Sequence, residues 1–108
     1  MMPSNIIKEL QELTQTNRQG VDALFEAESE LARKEYDLDR LESKAFLESH
    51  GTVADRRELA RFEASDARFD RDIAKAKVNR VRTKLKVIES ELIATSTMSK
   101  LMQAEMRL

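Results

Sequence analysis

The chain has 108 residues, of which 36% are charged and 41% hydrophobic, with two glycines, one proline and no tryptophan. This composition is typical of a long helix or coiled coil and excludes a globule with a large enclosed core. The formal net charge of -1 leaves nucleic-acid and protein partners open, because the distribution of charge matters more than its total. The absence of cysteine excludes disulfides and thiol chemistry.

The first residues, Met-Met-Pro-Ser, lack the basic and then apolar pattern of a signal peptide. No apolar run approaches the roughly 18 residues that a membrane span needs. The absence of cysteine also fits a reducing compartment. We therefore expect a cytoplasmic protein without a membrane partner.

The first predicted helix covers residues 5–18 and begins after Ser4, which can cap its N-terminus. Apolar residues recur from there at alternating steps of four and three, which is the heptad pattern of a coiled coil. Segment 14–20 contains β-branched residues and ends in Gly20, and both features lower helix propensity. We therefore predict a kink or short break there, followed by a second helix over residues 21–49.

A hinge is predicted at residues 50–52, since Gly51 can take the left-handed conformation that closes a helix. Thr52 begins a capping-box pattern in which Asp55 replaces the usual glutamate. The third predicted helix covers residues 53–106 and carries its own heptad ladder. We expect an all-α fold, a long antiparallel helical hairpin in one unit of residues 1–108. Because a two-helix hairpin has no enclosed core, we expect it to assemble into an oligomer.

Charge predicts the register of the two arms. Glutamates in the first arm and bases in the second recur every seven residues, and the residue numbers of each facing pair add to 103. The predicted pairs are Glu42–Arg61, Glu35–Arg68 and Glu28–Lys75. The apolar layers face each other where the numbers add to 105, and Glu30 faces Lys77 on the other flank. Exposed pairs contribute only about 0.2–1 kcal/mol each, so they select the register while the apolar residues supply stability.

A basic block lies between Ile73 and Ile88, where six cations occur without an acid. The register places several of them opposite neutral residues and adds Arg18 from the first arm. Such a surface favours contact with a nucleic-acid backbone, which requires charge rather than base reading. The candidate nucleic-acid-binding residues are Arg18, Lys77, Arg80, Arg82, Lys84 and Lys86. The alternative is a solvated basic face that an acidic face of a neighbouring subunit balances.

A second set of apolar residues lies away from the predicted helix interface, and a lone hairpin would leave these side chains in water. We favour association through that face. The alternative is a phase shift near Ile73 that makes Leu59, Phe62 and Phe69 the true interface. The C-terminal methionines form an adaptable face for a partner, or they continue the interface against Ile6 or Met2. The candidate oligomerisation residues are Phe25, Phe46, Leu59, Phe62, Phe69, Ile73, Leu101, Met102 and Met106.

Catalytic patterns are missing from the sequence. His50 is the only histidine and lies at the hinge, and Asp66, Asp70 and Asp72 have no histidine or cysteine to complete a transition-metal site. There is no glycine-rich phosphate loop. We expect no enzymatic activity, no cofactor, no metal and no small-molecule substrate.

Several segments resemble small helical proteins encoded in phage recombination gene clusters and, more distantly, UvsY-type recombination mediators. They are Lys44–Glu48 followed by Gly51-Thr52, then Arg56–Ala60 and Lys84–Ser90, within a similarity over about residues 30–108. The resemblance implies a closed, ring-like oligomer in the host bacterial cytoplasm. It would bind single-stranded DNA, through the basic stretch Lys75–Lys86, and help load a recombinase over a single-strand-binding protein. The alternative function is a coiled-coil protein-binding adaptor, scaffold or assembly chaperone without nucleic-acid binding.

Overall fold

The computed structural model describes residues 3–107 and contains three helices in that range. Helix α1 is Pro3–Glu48, α2 is Val53–Glu63 and α3 is Ser65–Met106, and no strand occurs among the described residues. The predicted all-α class is therefore confirmed. None of the described helices combines the length and the apolar character that a membrane crossing needs.

Helix α1 is continuous through segment 14–20, so the predicted break is wrong. Two of the threonines that lower helix propensity there are accommodated within the helix. The Thr14 hydroxyl donates to the Leu10 carbonyl at 2.7 Å, and the Thr16 hydroxyl donates to the Glu12 carbonyl at 2.9 Å. Because these hydroxyls bond to the preceding turn, they need not draw the backbone out of the helix.

Gly20 has a packing role in this helix. A Cβ atom built on Gly20 would lie 2.5 Å from Cδ2 of Leu85, so the absence of a side chain makes the space that Leu85 fills. Leu85 is buried. The residue numbers of this contact add to 105, as predicted for the apolar layers. Gly20 therefore lowers the local helix propensity but permits this tertiary contact with Leu85.

Gly20→Ala is expected to lower the free energy of unfolding by about 1 kcal/mol, because the collision with Leu85 outweighs the gain of about 1 kcal/mol in helix propensity. In a Leu85→Ala background the same change should instead stabilise the protein by about 1 kcal/mol. Urea unfolding of the four chains in this double-mutant cycle measures the coupling. Equal stabilisation in both backgrounds would contradict this role for Gly20.

The hinge lies where the sequence predicts it. Helix α1 ends at Glu48, Gly51 has φ 113°, and the Thr52 hydroxyl accepts a hydrogen bond from the Asp55 amide at 3.2 Å. Arg56 Nη2 donates to the Phe46 carbonyl at 2.9 Å, and its guanidinium lies 4.3 Å from the centroid of the Phe46 ring. Arg56 therefore bonds a carbonyl at the end of α1 and also covers part of this ring.

The third predicted helix is divided at Ala64, whose φ of -90° and ψ of 6° lie outside the helical range. Side chains of α3 donate hydrogen bonds to backbone carbonyls in the last turn of α2. Ser65 Oγ donates to the Phe62 carbonyl at 2.7 Å, and Arg68 Nη1 donates to the Arg61 carbonyl at 3.3 Å. The prediction of one helix over residues 53–106 is wrong at this point, and the break redirects Arg68 toward the hinge.

Two compact units make up the chain, one of Met1–Leu24 with Arg80–Leu108 and the other of Phe25–Asn79. In both, the buried residues follow the predicted heptad ladders, and we call this buried interface between the arms the seam. The first unit buries Ile6, Leu85 and Thr95, and Asn17 Oδ1 is buried there without a hydrogen bond. The second buries mainly small residues with Leu38 and Val78.

Two ion pairs in the second unit test the charge register. Lys77 Nζ lies 3.3 Å from Glu30 Oε2, as predicted. Arg68 Nη2 lies 3.6 Å from Glu42 Oε2, so the predicted Glu35–Arg68 pair is wrong by one heptad. The reason is the break at Ala64, since Arg68 reaches back to the Arg61 carbonyl and so approaches the glutamate nearer the hinge.

Candidate nucleic-acid interface

The first unit places Arg18 and Lys86 on the same side of the helix pair. Each directly follows a seam residue, Asn17 in α1 and Leu85 in α3, and equivalent heptad positions of antiparallel helices share a side. The contact of Gly20 with Leu85 fixes the level of the two arms, so Arg18 and Lys86 lie almost opposite each other. Both side chains are exposed. Two exposed cations from different helices thus lie on the same side of the helix pair.

Arg82 belongs to the same side, because it directly follows the seam residue Val81. Arg82 also makes an interaction within the chain. We call Arg18, Arg82 and Lys86 the basic side. Glu89 is an acidic residue at an equivalent position, one heptad beyond Arg82. The basic side therefore carries more positive than negative charge.

Sequence reasoning missed Lys100. It is exposed and follows the half-buried seam residue Ser99, as Lys86 follows Leu85. Its spacing of two heptads from Lys86 is the signal that could have found it. Lys100 extends the basic side toward the C-terminal end of α3.

Arg80 and Lys84 do not belong to the basic side. On a helix, residues two apart are rotated by about 200°, so Lys84 projects from the flank of α3 opposite to Arg82 and Lys86. Arg80 lies on that second flank as well, one turn before Lys84. Lys77 is in the second unit and pairs with Glu30. The basic block that the sequence shows as one run is therefore divided between different surfaces.

The second unit exposes the predicted apolar face. Phe62 is 77% exposed, Phe69 66% and Ile73 56%, and Leu59 is exposed as well. These values reject the alternative in which a phase shift near Ile73 would bury this set in the seam. Phe25 on α1 is also exposed, whereas Phe46 is half-buried beneath Arg56. The face is available for association, except at Phe46, where Arg56 covers the ring.

The C-terminal candidates fall into two groups. Leu101 and Met106 are exposed. Met102 is half-buried and lines a small cavity with Ile6 and Ser99, so it continues the seam. Met2, the other predicted contact, lies outside the described residues.

These surfaces supply charge and apolar area for binding. Guanidinium and ammonium groups can neutralise phosphates, and exposed aromatic rings can pack against another helix. Among residues 3–107, no three or more histidine, aspartate and glutamate side chains are grouped so that they could hold a metal ion. Comparison with known proteins finds no matching family model, no similar curated protein and no similar solved structure.

Proposed function

We propose that the protein is a non-enzymatic helical accessory protein that binds the backbone of single-stranded DNA. The proposal is supported by the position of Arg18 and Lys86, two exposed residues of separate helices on the same side of the first unit. Phosphates along a flexible strand can follow cations placed in this way without any reading of bases. The resemblance to phage recombination proteins adds the expected setting, in which a recombinase or a single-strand-binding protein is the protein partner.

Helix continuity supports this proposal. Helix α1 does not break at segment 14–20, so Arg18 is held in a regular helix. The space at Gly20 lets Leu85 approach α1, and this contact sets the position of Lys86 relative to Arg18. Cations held on rigid elements lose less conformational freedom on binding than cations on loops.

Salt dependence is the direct test. Fluorescence anisotropy with a labelled oligonucleotide should show binding at low salt, with a slope of log K against log salt of about -2 for roughly three phosphate contacts. A rise from 50 to 200 mM salt should then weaken binding by about 15-fold. An unlabelled duplex serves as competitor and reports the preference for single strands. Absence of binding to a single strand at low salt would overturn the proposal.

A second candidate function is a coiled-coil adaptor, scaffold or assembly chaperone. The exposed rings of Phe25, Phe62 and Phe69 favour it, because such side chains mark protein-binding surfaces. The two candidates differ in the anisotropy experiment, since an adaptor of this kind gives no signal with DNA at any salt concentration.

A further inference from the structure

Helix α3 carries a second heptad ladder on the face that points away from the seam. Its steps of three and four match the spacing that helices need to pack lengthwise on each other. All members are exposed, including Phe69 at 66% and Ile73 at 56%. Within the second unit the ladder consists of Asp66, Phe69, Ile73 and Ala76. This face has the pattern of a helix interface, although the chain itself does not cover it.

The charges beside this ladder are self-complementary. Asp70 directly follows Phe69 and Lys77 directly follows Ala76, so both flank the ladder on the same side. When two copies of α3 lie antiparallel, Asp70 of one copy meets Lys77 of the other, and the two-fold axis repeats the pair. Both of these reciprocal contacts join unlike charges.

The apolar members of the ladder also meet in this arrangement. Ile73 of one copy packs on Ala76 of the other, and the two-fold axis repeats this contact.

Other arrangements of two α3 helices bring like charges together. A shift by one heptad in one direction places Asp70 against Asp70 of the second copy. A shift in the other direction places Lys77 against Lys77. A parallel pairing stacks Asp66 on Asp66 in the interface. Like charges at these positions oppose pairing, so one antiparallel register is selected.

We infer that the exposed face of α3 binds a second copy of this chain, antiparallel about a two-fold axis midway between Ile73 and Ala76. Lys77 serves both copies, since its ammonium group has three donors and uses Glu30 within its own chain. The pairing is argued without reference to nucleic-acid binding and does not depend on it.

Charge exchange tests the pairing on the full-length chain. Asp70→Lys alone places a lysine opposite Lys77 of the other copy, and Lys77→Glu alone places a glutamate opposite Asp70. Each change should weaken self-association by about tenfold or more. An equimolar mixture of the two variants should restore it, because both reciprocal contacts then join lysine to glutamate or aspartate. Light scattering over a range of concentrations measures the mass against 12.4 kDa for one chain.

The control variant is Asp39→Lys, which makes the same charge change on an exposed position of α1 and should leave the mass unchanged. Circular dichroism verifies that each variant remains helical. A wild-type chain that stays monomeric at about 100 μM, a concentration well above the Kd of a stable dimer, overturns the inference. Folded single variants whose mixture fails to associate also overturn it.

Discussion

Val78→Asp is expected to unfold the protein. Val78 is 2% exposed and lies in the seam of the second unit. Removing the buried valine loses about 1.5–3 kcal/mol of stabilisation from apolar burial. The new carboxylate must also be desolvated among small apolar side chains. We expect a total loss of about 4 kcal/mol or more, which is comparable with the whole stability of many domains of this size, about 5–15 kcal/mol.

Circular dichroism at 222 nm during urea unfolding measures this loss. The matched control is Val21→Asp, the same change at a position that is 53% exposed, where the free energy of unfolding should move by less than about 1 kcal/mol. Comparable losses at both positions would mean that the ladder of buried residues does not define the seam.

The seam was predictable because it follows a simple periodicity. Apolar residues at steps of four and three must share one face of a helix, and the contact of Gly20 with Leu85 occurs in the predicted register. The hinge was predictable for a similar reason, since Gly51 and Thr52 have strong local preferences for ending and starting helices. In both cases the residue pattern alone determines the outcome.

The course of the backbone near Gly20 and Ala64 was not predictable from local propensity. Gly20 is a helix breaker in isolation, but packing against Leu85 decides its conformation. Ala64 is a strong helix former, yet the helix is interrupted there, and Ser65 is the neighbouring residue that favours a helix end. The pair of Arg68 with Glu42 follows from that interruption, so an error in local structure became an error of one heptad in charge pairing.

The division of the basic block shows a different limit. The side of the helix on which each cation lies cannot be assigned until the buried residues are known. Residues two apart in a helix point in nearly opposite directions. Once Leu85 is known to be buried, Lys86 and Lys84 fall on opposite flanks. Arg18, which is distant in sequence, joins Lys86 for the same reason.

Joint reversal of Arg18 and Lys86 to glutamate is expected to abolish binding to single-stranded DNA. Each reversal removes one phosphate contact and adds a repulsive charge, so affinity at low salt should fall by about 100-fold or more. The residual salt slope should also fall toward zero, because about two of the roughly three phosphate contacts are lost. Both side chains are exposed, so helicity and the unfolding midpoint should stay close to wild type.

The matched control reverses Arg33 and Arg40, which are exposed on α1 in the second unit. Each reversal lowers the net charge by two, so both double variants change the long-range electrostatics of the protein equally. If the basic side forms the binding site, the control should retain affinity within about threefold, because only screened long-range attraction is altered. Equal losses in the two double variants would mean that overall charge controls binding, and that the position of Arg18 and Lys86 on one side has no specific role. A loss confined to the variant of Arg18 and Lys86 would locate the phosphate contacts on the side of the first unit that carries these two cations.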